Sequence, residues 1–476
     1  MSSEAPAALH YDRRRLLIAS CVALVATAMT FSIRGDTLKA FGLDFQLTHE
    51  QEGYISLLGM WGFPIAILLV GPLCDTIGMG LLLRLAAVGH VAGVILTILS
   101  PSLGFPALLL ANLVFGLSNG TVEAVINPLV ATMYRDEKSA KLNLLHAFWP
   151  GGLIIGGLFA FAVNVAMSLP ATPVAGPMTS LSWKIKWAAI AICAVVYLFL
   201  TIGQEFPHTE RVEQGVSNKD MVQSAMVPGF LLLMFCMCLT AITELGPDQW
   251  VGSVLTDTVK IQGILFLVYT SGLMFVLRIF AGKFIHALSP VGMLTAAAAI
   301  SALGLFALSY SFTAGTAFLA ATVFGLGKAF FWPTMLGVAN ERYPRTGALG
   351  LAMMGAAGMI AAGLAGPGMG RIYDKGTMAA ITDPDARAAV VVGDKVDAKK
   401  AGDVAAAAKA GDPKAARIAD HLANANKQGA ALSFRYVAVL PLAVFLIFGL
   451  MLLGMSKQGG YQAVGIEETE TPGGEL

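Results

Sequence analysis

The chain has 476 residues, of which 56% are apolar and only 13% are charged, and its mean hydropathy is +0.71. Soluble domains carry roughly 25% charged residues, so this composition excludes a soluble enzyme, a disordered chain and a nucleic-acid-binding protein. The formal net charge of +1 also gives no overall field that would attract nucleic acid. The apolar residues suffice for about twelve spans of ~20 residues, which predicts an all-α polytopic membrane protein.

Twelve apolar segments separated by short polar stretches are predicted to cross the membrane as helices. In chain order they begin near Leu16, Gln51, Leu81, Pro106, Leu142, Trp183, Met226, Ile261, Pro290, Gly315, Thr346 and Phe434. Short loops on one side carry Lys and Arg and those on the other side carry none, which predicts that both termini are cytoplasmic. We expect a multi-pass monomer in a bacterial-type cytoplasmic (inner) membrane, with the lipid bilayer, a small-molecule solute and protons as its partners.

The two halves of the sequence share landmarks at a nearly constant spacing. Offsets of 209 to 211 residues relate Gly35 to Gly246, Gly71 to Gly282, Phe115 to Phe324 and Tyr134 to Tyr343. This pattern predicts two six-helix pseudo-repeats in parallel orientation. The predicted organisation is an N-terminal bundle over 1–204, a cytoplasmic linker over 205–225, a C-terminal bundle over 226–455 and a cytoplasmic tail over 456–476.

A polar insert at 375–432, rich in Ala, Lys and Asp, separates the last two spans. Asp383 and Asp412 each precede a proline, as an N-cap acid precedes a first-turn proline, and Gly429 is a candidate C-cap. The insert is predicted to form one to three short helices on the extracytoplasmic side. Its role is either that of a solvated decoration or that of a lid or docking element.

Six-plus-six parallel repeats with a central linker resemble the major facilitator superfamily, and this resemblance implies the major facilitator fold. The segment Gly71-x-x-x-Asp75-x-x-Gly78 is similar to the loop motif of that superfamily, although the basic residues that usually follow are absent. The resemblance implies that Asp75 takes part in a cytoplasmic gate, by capping a helix or by pairing with a basic residue such as Arg135. Arg278 is expected to belong to the corresponding second-half gate.

A narrower resemblance lies in spans four and five. The segment 120–128, with Glu123 and Asn127-Pro128, and the segment 141–148, with Asn143, are similar to the fucose/glucose–proton symporter branch. The resemblance implies a proton-coupled symporter of a sugar or sugar-like solute that works by alternating access, with no cofactor and no metal. The alternative is a transporter of organic anions or acidic sugars. A membrane-embedded enzyme is disfavoured, because the polar residues are scattered at mid-span in both halves, and a solute sensor is not supported by any appended signalling domain.

Glu123 is the predicted proton-coupling residue. Asn119, Glu123 and Asn127 recur every four residues and are predicted to share one face of span four. Acids inside membrane spans are functional by default, and removal from water favours the neutral carboxyl that a proton carrier needs. The alternative is an interhelical hydrogen-bond clamp that never titrates. Arg34 in span one is expected to reach Glu123, and Asp36 is the second proton-coupling candidate.

The solute site is predicted to form around a break in span seven. Glu244 and Asp248 lie one turn apart on either side of Pro247, which is expected to kink the helix and free carbonyls to line a cavity. Lys328 in span ten requires a partner, either one of these acids or an anionic group of the solute. The remaining predicted solute-binding residues are Arg34, Asn119, Asn127, Asn143, His146, Trp250 and Trp332.

Overall fold

The computed structural model describes residues 11–47, 49–169, 176–259, 263–311, 313–393 and 395–466, and nearly all of them are helical. The first half consists of α1 (Arg13–Asp44), α2 (His49–Val70), α3 (Met79–Leu103), α4 (Phe105–Met133), α5 (Lys138–Ala166) and α6 (Pro177–Thr201). The linker contains α7 (Glu210–Glu213) and α8 (Asn218–Ala225).

The second half begins with seven helices and ends with an eighth that follows the insert. The seven are α9 (Pro228–Val259), α10 (Gly263–Ile279), α11 (Ala281–Leu288), α12 (Pro290–Leu308), α13 (Ala314–Lys328), α14 (Phe331–Arg342) and α15 (Gly347–Ala380). The insert holds α16 (Pro384–Val390), strands β1 (Val391–Val392) and β2 (Lys395–Val396), and α17 (Ala398–Lys409), and it leads into α18 (Pro413–Lys457). The two strands pair as a small antiparallel hairpin.

The predicted all-α membrane fold is confirmed. Among the described residues, ten helical stretches are long and apolar enough to cross a membrane, and a bent pair, Val268–Ile279 with Ala281–Leu288, adds an eleventh. One of the ten, Gln51–Leu103, contains both α2 and α3, which a tight turn over Gly71–Gly78 separates. Counting that stretch as two helices accounts for the twelve predicted spans.

The internal repeat is visible in the way two corresponding helices end. Helix α4 ends at Tyr134 with φ −125° and ψ 61°, and α14 ends at Tyr343 with φ −130° and ψ 57°. Each tyrosine is followed by a short 3₁₀ turn. The 209-residue offset between these tyrosines therefore relates two positions with the same local backbone.

The two halves meet along a limited set of helices. Within the first half, α1 packs on α5 and α6, while α2 and α3 pack on α4; within the second half, α15 and α12 pack on α18. Contacts between the halves join α5 to α10 and α14, and α2 to α15. The side chains that face these helix pairs are therefore placed between the two halves.

The two ends of the bundle can be told apart. The start of α1 lies beside the end of α6, because Arg15 Nε donates to Leu200 O at 2.9 Å, and the segment after α18 reaches the end of α14. We call this end the terminal face. The opposite end, where α15 and α18 carry the insert, is the insert face. Helix α18 has 45 residues and is about 68 Å long, roughly twice the hydrocarbon thickness of a bilayer, so it projects beyond the membrane.

The predicted caps of the insert are confirmed at Asp383 and Asp412, whose side chains accept backbone hydrogen bonds at the starts of α16 and α18. The predicted C-cap at Gly429 is wrong, because α18 continues through it. A Cβ at Gly429 would lie 2.6 Å from Tyr373 O, and one at Gly376 would lie 2.9 Å from Gly429 Cα. This glycine therefore permits close packing of α15 against α18 instead of ending a helix.

Candidate functional site

A small cavity with a water-accessible volume of about 30 Å³ lies between the halves. Its walls combine two acids, one arginine and a histidine with two tryptophans. The lining residues are Phe63, Glu123, His146 and Trp149 from the first half and Glu244, Leu245, Arg278, Trp332 and Met359 from the second half. Both halves therefore contribute charged and aromatic groups to one enclosed space.

The first-half wall of the cavity is a chain of three polar side chains. Asn127 Nδ2 donates to Glu123 Oε2 at 2.7 Å, and His146 Nε2 lies 2.8 Å from Asn127 Oδ1. Because that amide oxygen can only accept, the hydrogen bond assigns the proton to Nε2 of His146. His146 Nε2 is also 3.9 Å from Glu123 Oε2, and both side chains are buried. These hydrogen bonds connect a buried acid on α4 with a histidine on α5.

The second-half wall centres on Arg278, whose side chain is buried. Arg278 Nη2 donates to Glu244 Oε1 at 2.7 Å, which pairs the predicted solute-binding acid of α9 with a cation of α10. Arg278 Nη1 also donates to the His146 carbonyl of the first half at 3.0 Å. The structure therefore places Arg278 at the cavity, whereas the sequence pattern assigned it to a gate near the membrane surface.

Span seven has no interruption at Pro247, and an interruption lies in span ten instead. Helix α9 runs without interruption through Pro247, whereas α13 ends at Lys328 and α14 starts at Phe331. Pro333 has no N–H for the carbonyl of Ala329, and that carbonyl accepts from Arg278 Nε at 2.5 Å instead. A carbonyl freed by a proline is therefore present beside Arg278, in span ten.

Asn119 does not join the cavity cluster. Its Oδ1 accepts from His90 Nε2 at 2.8 Å, and its Nδ2 donates to Thr30 Oγ1 at 2.9 Å. His90 Nδ1 lies 2.9 Å from Tyr197 OH. Since the amide oxygen is an acceptor, His90 is the donor in the first contact. Eight residues of helix advance about 800°, so Asn119 is rotated about 80° from Asn127 and faces the interior of the first half.

Two charged residues of span one also have partners that differ from the expected ones. Arg34 Nε donates to Asn112 Oδ1 at 2.9 Å, so the predicted contact with Glu123, three turns further along α4, is wrong. Asp36 Oδ2 lies 2.5 Å from Lys186 Nζ of α6. The side chain of Lys39, the other partner considered for Asp36, lies outside the described residues. Both the Arg34–Asn112 hydrogen bond and the Asp36–Lys186 ion pair lie on the insert-face side of the first half.

A row of contacts connects the halves between the cavity and the terminal face. Ser139, Asn143 and His146 follow one edge of α5, and each bonds to the second half. Ser139 Oγ donates to Glu341 Oε1 at 2.6 Å, Asn143 Nδ2 donates to Thr334 Oγ1 at 3.0 Å, and the His146 carbonyl accepts from Arg278. We call these three contacts the seam. Asn143, predicted to bind solute, is thus a seam residue.

The end of the chain reaches the same place. Tyr461 OH donates to Glu341 Oε2 at 2.6 Å, and Val464 N donates to Glu341 O at 2.8 Å. Burial, together with the neighbouring Glu341 carboxylate, raises the pKa of Tyr461 above its usual range, so the phenol stays a hydrogen-bond donor. Glu341 therefore bonds the first half with one oxygen and the tail with the other.

The linker is held against the terminal face by three ion pairs. Arg211 Nη2 lies 2.7 Å from Asp75 Oδ2, and Thr209 Oγ1 donates to the same carboxylate. Arg135 pairs with Glu213, and Lys138 Nζ lies 2.8 Å from Glu210 Oε2. Asp75 does pair with a basic residue, but the suggested partner Arg135 is wrong. The loop motif contacts the linker helix α7.

The remaining predicted residues fall into two groups. The side chains of Asp248 and Trp250 lie outside the described residues. Lys328 is buried with its Nζ 5.2 Å from the centre of the Phe324 ring, and Trp332 lines the cavity as expected. Trp149 also lines the cavity but was not among the predicted residues, although it lies one turn after His146 on the same face of α5, a spacing that could have identified it.

Comparisons with known proteins agree with this architecture. The sequence matches the family model of the Major Facilitator Superfamily over residues 16–367. A crystal structure of the transporter FucP in the outward conformation superposes with a TM-score of 0.67 at 14% identity, covering 90% of this chain and 98% of that one. A structure of the E. coli fucose:proton symporter FucP gives 0.66 at 14% identity, with 90% and 98% covered.

Two other transporter structures are similar to the same extent. The proton:xylose symporter XylE bound to 6-bromo-6-deoxy-D-glucose gives a TM-score of 0.66 at 13% identity, covering 92% of this chain and 95% of that one. The human organic anion transporter MFSD10 gives 0.61 at 13% identity, with 94% and 100% covered. At these identities the similarity concerns the fold. No curated protein sequence matches the chain.

Proposed function

Because the chain belongs to the Major Facilitator Superfamily, a family of transporters and not of enzymes, we propose that it is a proton-coupled symporter of a sugar or sugar-like solute that works by alternating access. The observation that carries this proposal is Glu123, a buried acid in the wall of a cavity shared by both halves. Intramembrane acids that face such cavities mark proton and solute pathways.

The lining of the cavity suits a small polyhydroxylated solute. The water-accessible volume of the cavity, about 30 Å³, is far below the roughly 300–1,000 Å³ of small-molecule sites, so a solute would enter only when the halves move apart. Trp149 and Trp332 offer flat apolar faces from opposite halves, and Glu123, His146 and Glu244 offer hydrogen-bonding groups. A sugar ring presents both kinds of surface, since its C–H faces are apolar and its hydroxyls radiate from the rim.

Proton coupling follows from the position of Glu123. Its carboxylate oxygen accepts from the neutral amide of Asn127, while Arg278 across the cavity pairs with Glu244. Gain or loss of a proton at Glu123 therefore changes the net charge of the cavity walls. If solute and proton load together, the cavity can close only when both are bound, and an inward proton gradient then drives solute accumulation.

The proposal includes an orientation. The terminal face is assigned to the cytoplasm and the insert face to the outside of a bacterial-type inner membrane, with the halves 1–204 and 226–455 moving about the cavity. In this orientation the seam closes the cytoplasmic side. Asp75 and Arg135, which fasten the linker there, are assigned to the cytoplasmic gate.

The decisive experiment is uptake into proteoliposomes by Glu123→Gln. Glutamine mimics the protonated carboxyl and cannot release a proton, so solute-for-solute exchange should persist and uptake against a gradient should be lost. Uptake by the unmodified protein should rise as external pH falls, and the variant should show a flat profile. Asp36→Asn, at the second candidate acid and outside the cavity lining, should retain pH-dependent accumulation and so separates the two assignments. Accumulation by Glu123→Gln that still depends on pH would contradict the assignment.

A second candidate, transport of an organic anion or acidic sugar, is favoured by one observation. The second half contributes two buried cations, Arg278 at the cavity and Lys328 in span ten. Thermal-shift measurements of the purified protein with neutral sugars, uronates and small organic acids distinguish the candidates. Stabilisation by neutral sugars supports the first, and stabilisation by acids alone supports the second.

A further inference from the structure

Two prolines at the cavity leave backbone carbonyls without a helical partner. A proline cannot donate a backbone hydrogen bond, so the carbonyl four residues earlier is freed. Pro150 frees the carbonyl of His146 in the first half, and Pro333 frees that of Ala329 in the second half. Arg278 Nη1 donates to the former at 3.0 Å and Arg278 Nε donates to the latter at 2.5 Å. One guanidinium thus replaces two missing backbone donors.

At two other helical prolines, Pro101 and Pro128, the freed carbonyl has a local donor. The carbonyl freed by Pro101 accepts from Ser100 Oγ of the same helix at 2.7 Å. The carbonyl freed by Pro128 accepts from Cys74 Sγ at 3.4 Å, a contact inside the first half. In both cases the replacement donor moves with the carbonyl. Arg278 differs because one of its two carbonyls belongs to the opposite half.

We propose that Arg278 forms the reversible bond between the halves in the transport cycle, and that Pro150 and Pro333 are the positioning residues that create it. This inference rests on the proposed alternating access, in which α5 and α10 separate on the terminal side. Separation breaks the bond to the His146 carbonyl and leaves those to Glu244 and Ala329 intact. Opening therefore gives up one charge-assisted hydrogen bond, and the buried ion pair is preserved.

The geometry explains why prolines are needed. A backbone amide at position 150 or 333 would bond to the carbonyl that Arg278 now contacts, and the straighter helix would reduce the space for the guanidinium. Pro150 lies in the interior of α5, where replacement of proline by alanine ordinarily favours the helix. The proposal therefore makes an unusual demand: a substitution that improves the helix propensity of α5 should weaken closure of the terminal side, as should one in the first turn of α14.

The test measures the separation of the halves directly. Spin labels are placed on Asp136→Cys and His286→Cys, two exposed residues at the terminal face on opposite halves. The native residues Cys21, Cys74, Cys193, Cys236 and Cys238 are first replaced, with serine at position 74 to keep a donor. Pulsed-EPR distances are then recorded for the purified full-length protein and its variants.

Pro150→Ala and Pro333→Ala should each raise the population of the longer distance by about threefold to tenfold. Arg278→Lys should do the same, because a single ammonium cannot reproduce the planar fork of the guanidinium. Pro101→Ala is the matched control, because it affects no contact between the halves. Its distances should equal those of the unmodified protein.

Unchanged distances in both Pro150→Ala and Pro333→Ala would overturn the proposal, and so would an equal shift in Pro101→Ala. The two alanine variants carry the test even if Arg278→Lys does not fold. The distances need neither solute nor a proton gradient. Uptake assays therefore test the proposed symport, and the distances separately test the role of Arg278.

Discussion

Helix α4 carries two polar clusters one turn apart, and their surroundings are opposite. Asn119 bonds with His90 and Thr30, and every partner belongs to the first half. Glu123 bonds with Asn127 and faces Arg278 across a cavity that the second half completes. The clusters use similar residue types and equal burial. What separates them is that Glu123 also faces a cation of the second half, whereas every partner of Asn119 lies in the half that holds it.

This difference distinguishes structural from mechanistic polar contacts. A network confined to one half keeps its geometry when the halves move, so it contributes stability and restricts helix packing. A network between the halves must be remade in each conformation, so it sets the relative populations of the conformations. Contacts of the first kind should change stability when they are removed, and contacts of the second kind should change transport.

The largest effect on stability is expected for Asp75→Ala. Asp75 and Arg211 are both buried, and removal of one partner from such a pair costs about 3–5 kcal/mol because the other charge is left unpaired. Release of the linker should also increase opening of the terminal face, while the solute site stays intact. Thermal unfolding, the terminal-face distance and equilibrium solute binding measure the three quantities.

Asp44→Ala provides the control for this experiment. Asp44 accepts from Trp183 Nε1 at 2.7 Å and lies within the first half on the insert-face side. It should lower stability by less and leave the terminal-face distance unchanged. If Asp75→Ala alters neither stability nor opening, its assignment to the gate is wrong.

An intermediate effect is expected for His90→Phe, which tests the cluster of Asn119, His90 and Thr30 directly. Phenylalanine fills much of the imidazole volume but removes the bonds of His90 to Asn119 Oδ1 and Tyr197 OH, at a cost of about 1–3 kcal/mol for a buried polar group. The melting temperature should fall, and uptake per folded molecule with its pH profile should be retained. A changed pH profile would place a titrating group in this cluster and remove the distinction between the two regions.

Much of the fold was predictable because the bilayer imposes simple constraints. Twelve apolar segments, an offset of 209 residues between Tyr134 and Tyr343, and N-cap acids at Asp383 and Asp412 each reflect local or periodic chemistry. The neighbouring positions Glu123 and Asn127 were predictable for the same reason, since four residues make about one helical turn.

The parts that sequence could not provide depend on which helix lies opposite. A helical proline predicts a free carbonyl, but the donor that bonds to it comes from another helix, as Arg278 does for Ala329. Likewise, a glycine such as Gly429 has the same local signature whether it ends a helix or admits a neighbouring one. The partners of Arg34 and Asp75 belong to this class as well.

The smallest effect is expected for Tyr461→Phe, which removes one hydroxyl from the tail contact on the seam. Tyr461 OH donates to Glu341 Oε2 at 2.6 Å, and Glu341 Oε1 accepts from Ser139 of the other half. Loss of this donor should remove roughly 1 kcal/mol of the free energy that holds Glu341 in place, the usual net contribution of a hydrogen bond. The open population at the terminal face should then rise by up to about fivefold, with no change in solute affinity. Tyr436→Phe, on an exposed side chain, is the matched control in the same spin-labelled protein. If Tyr461→Phe and Tyr436→Phe have identical distances, the tail merely covers the seam and does not help to close it.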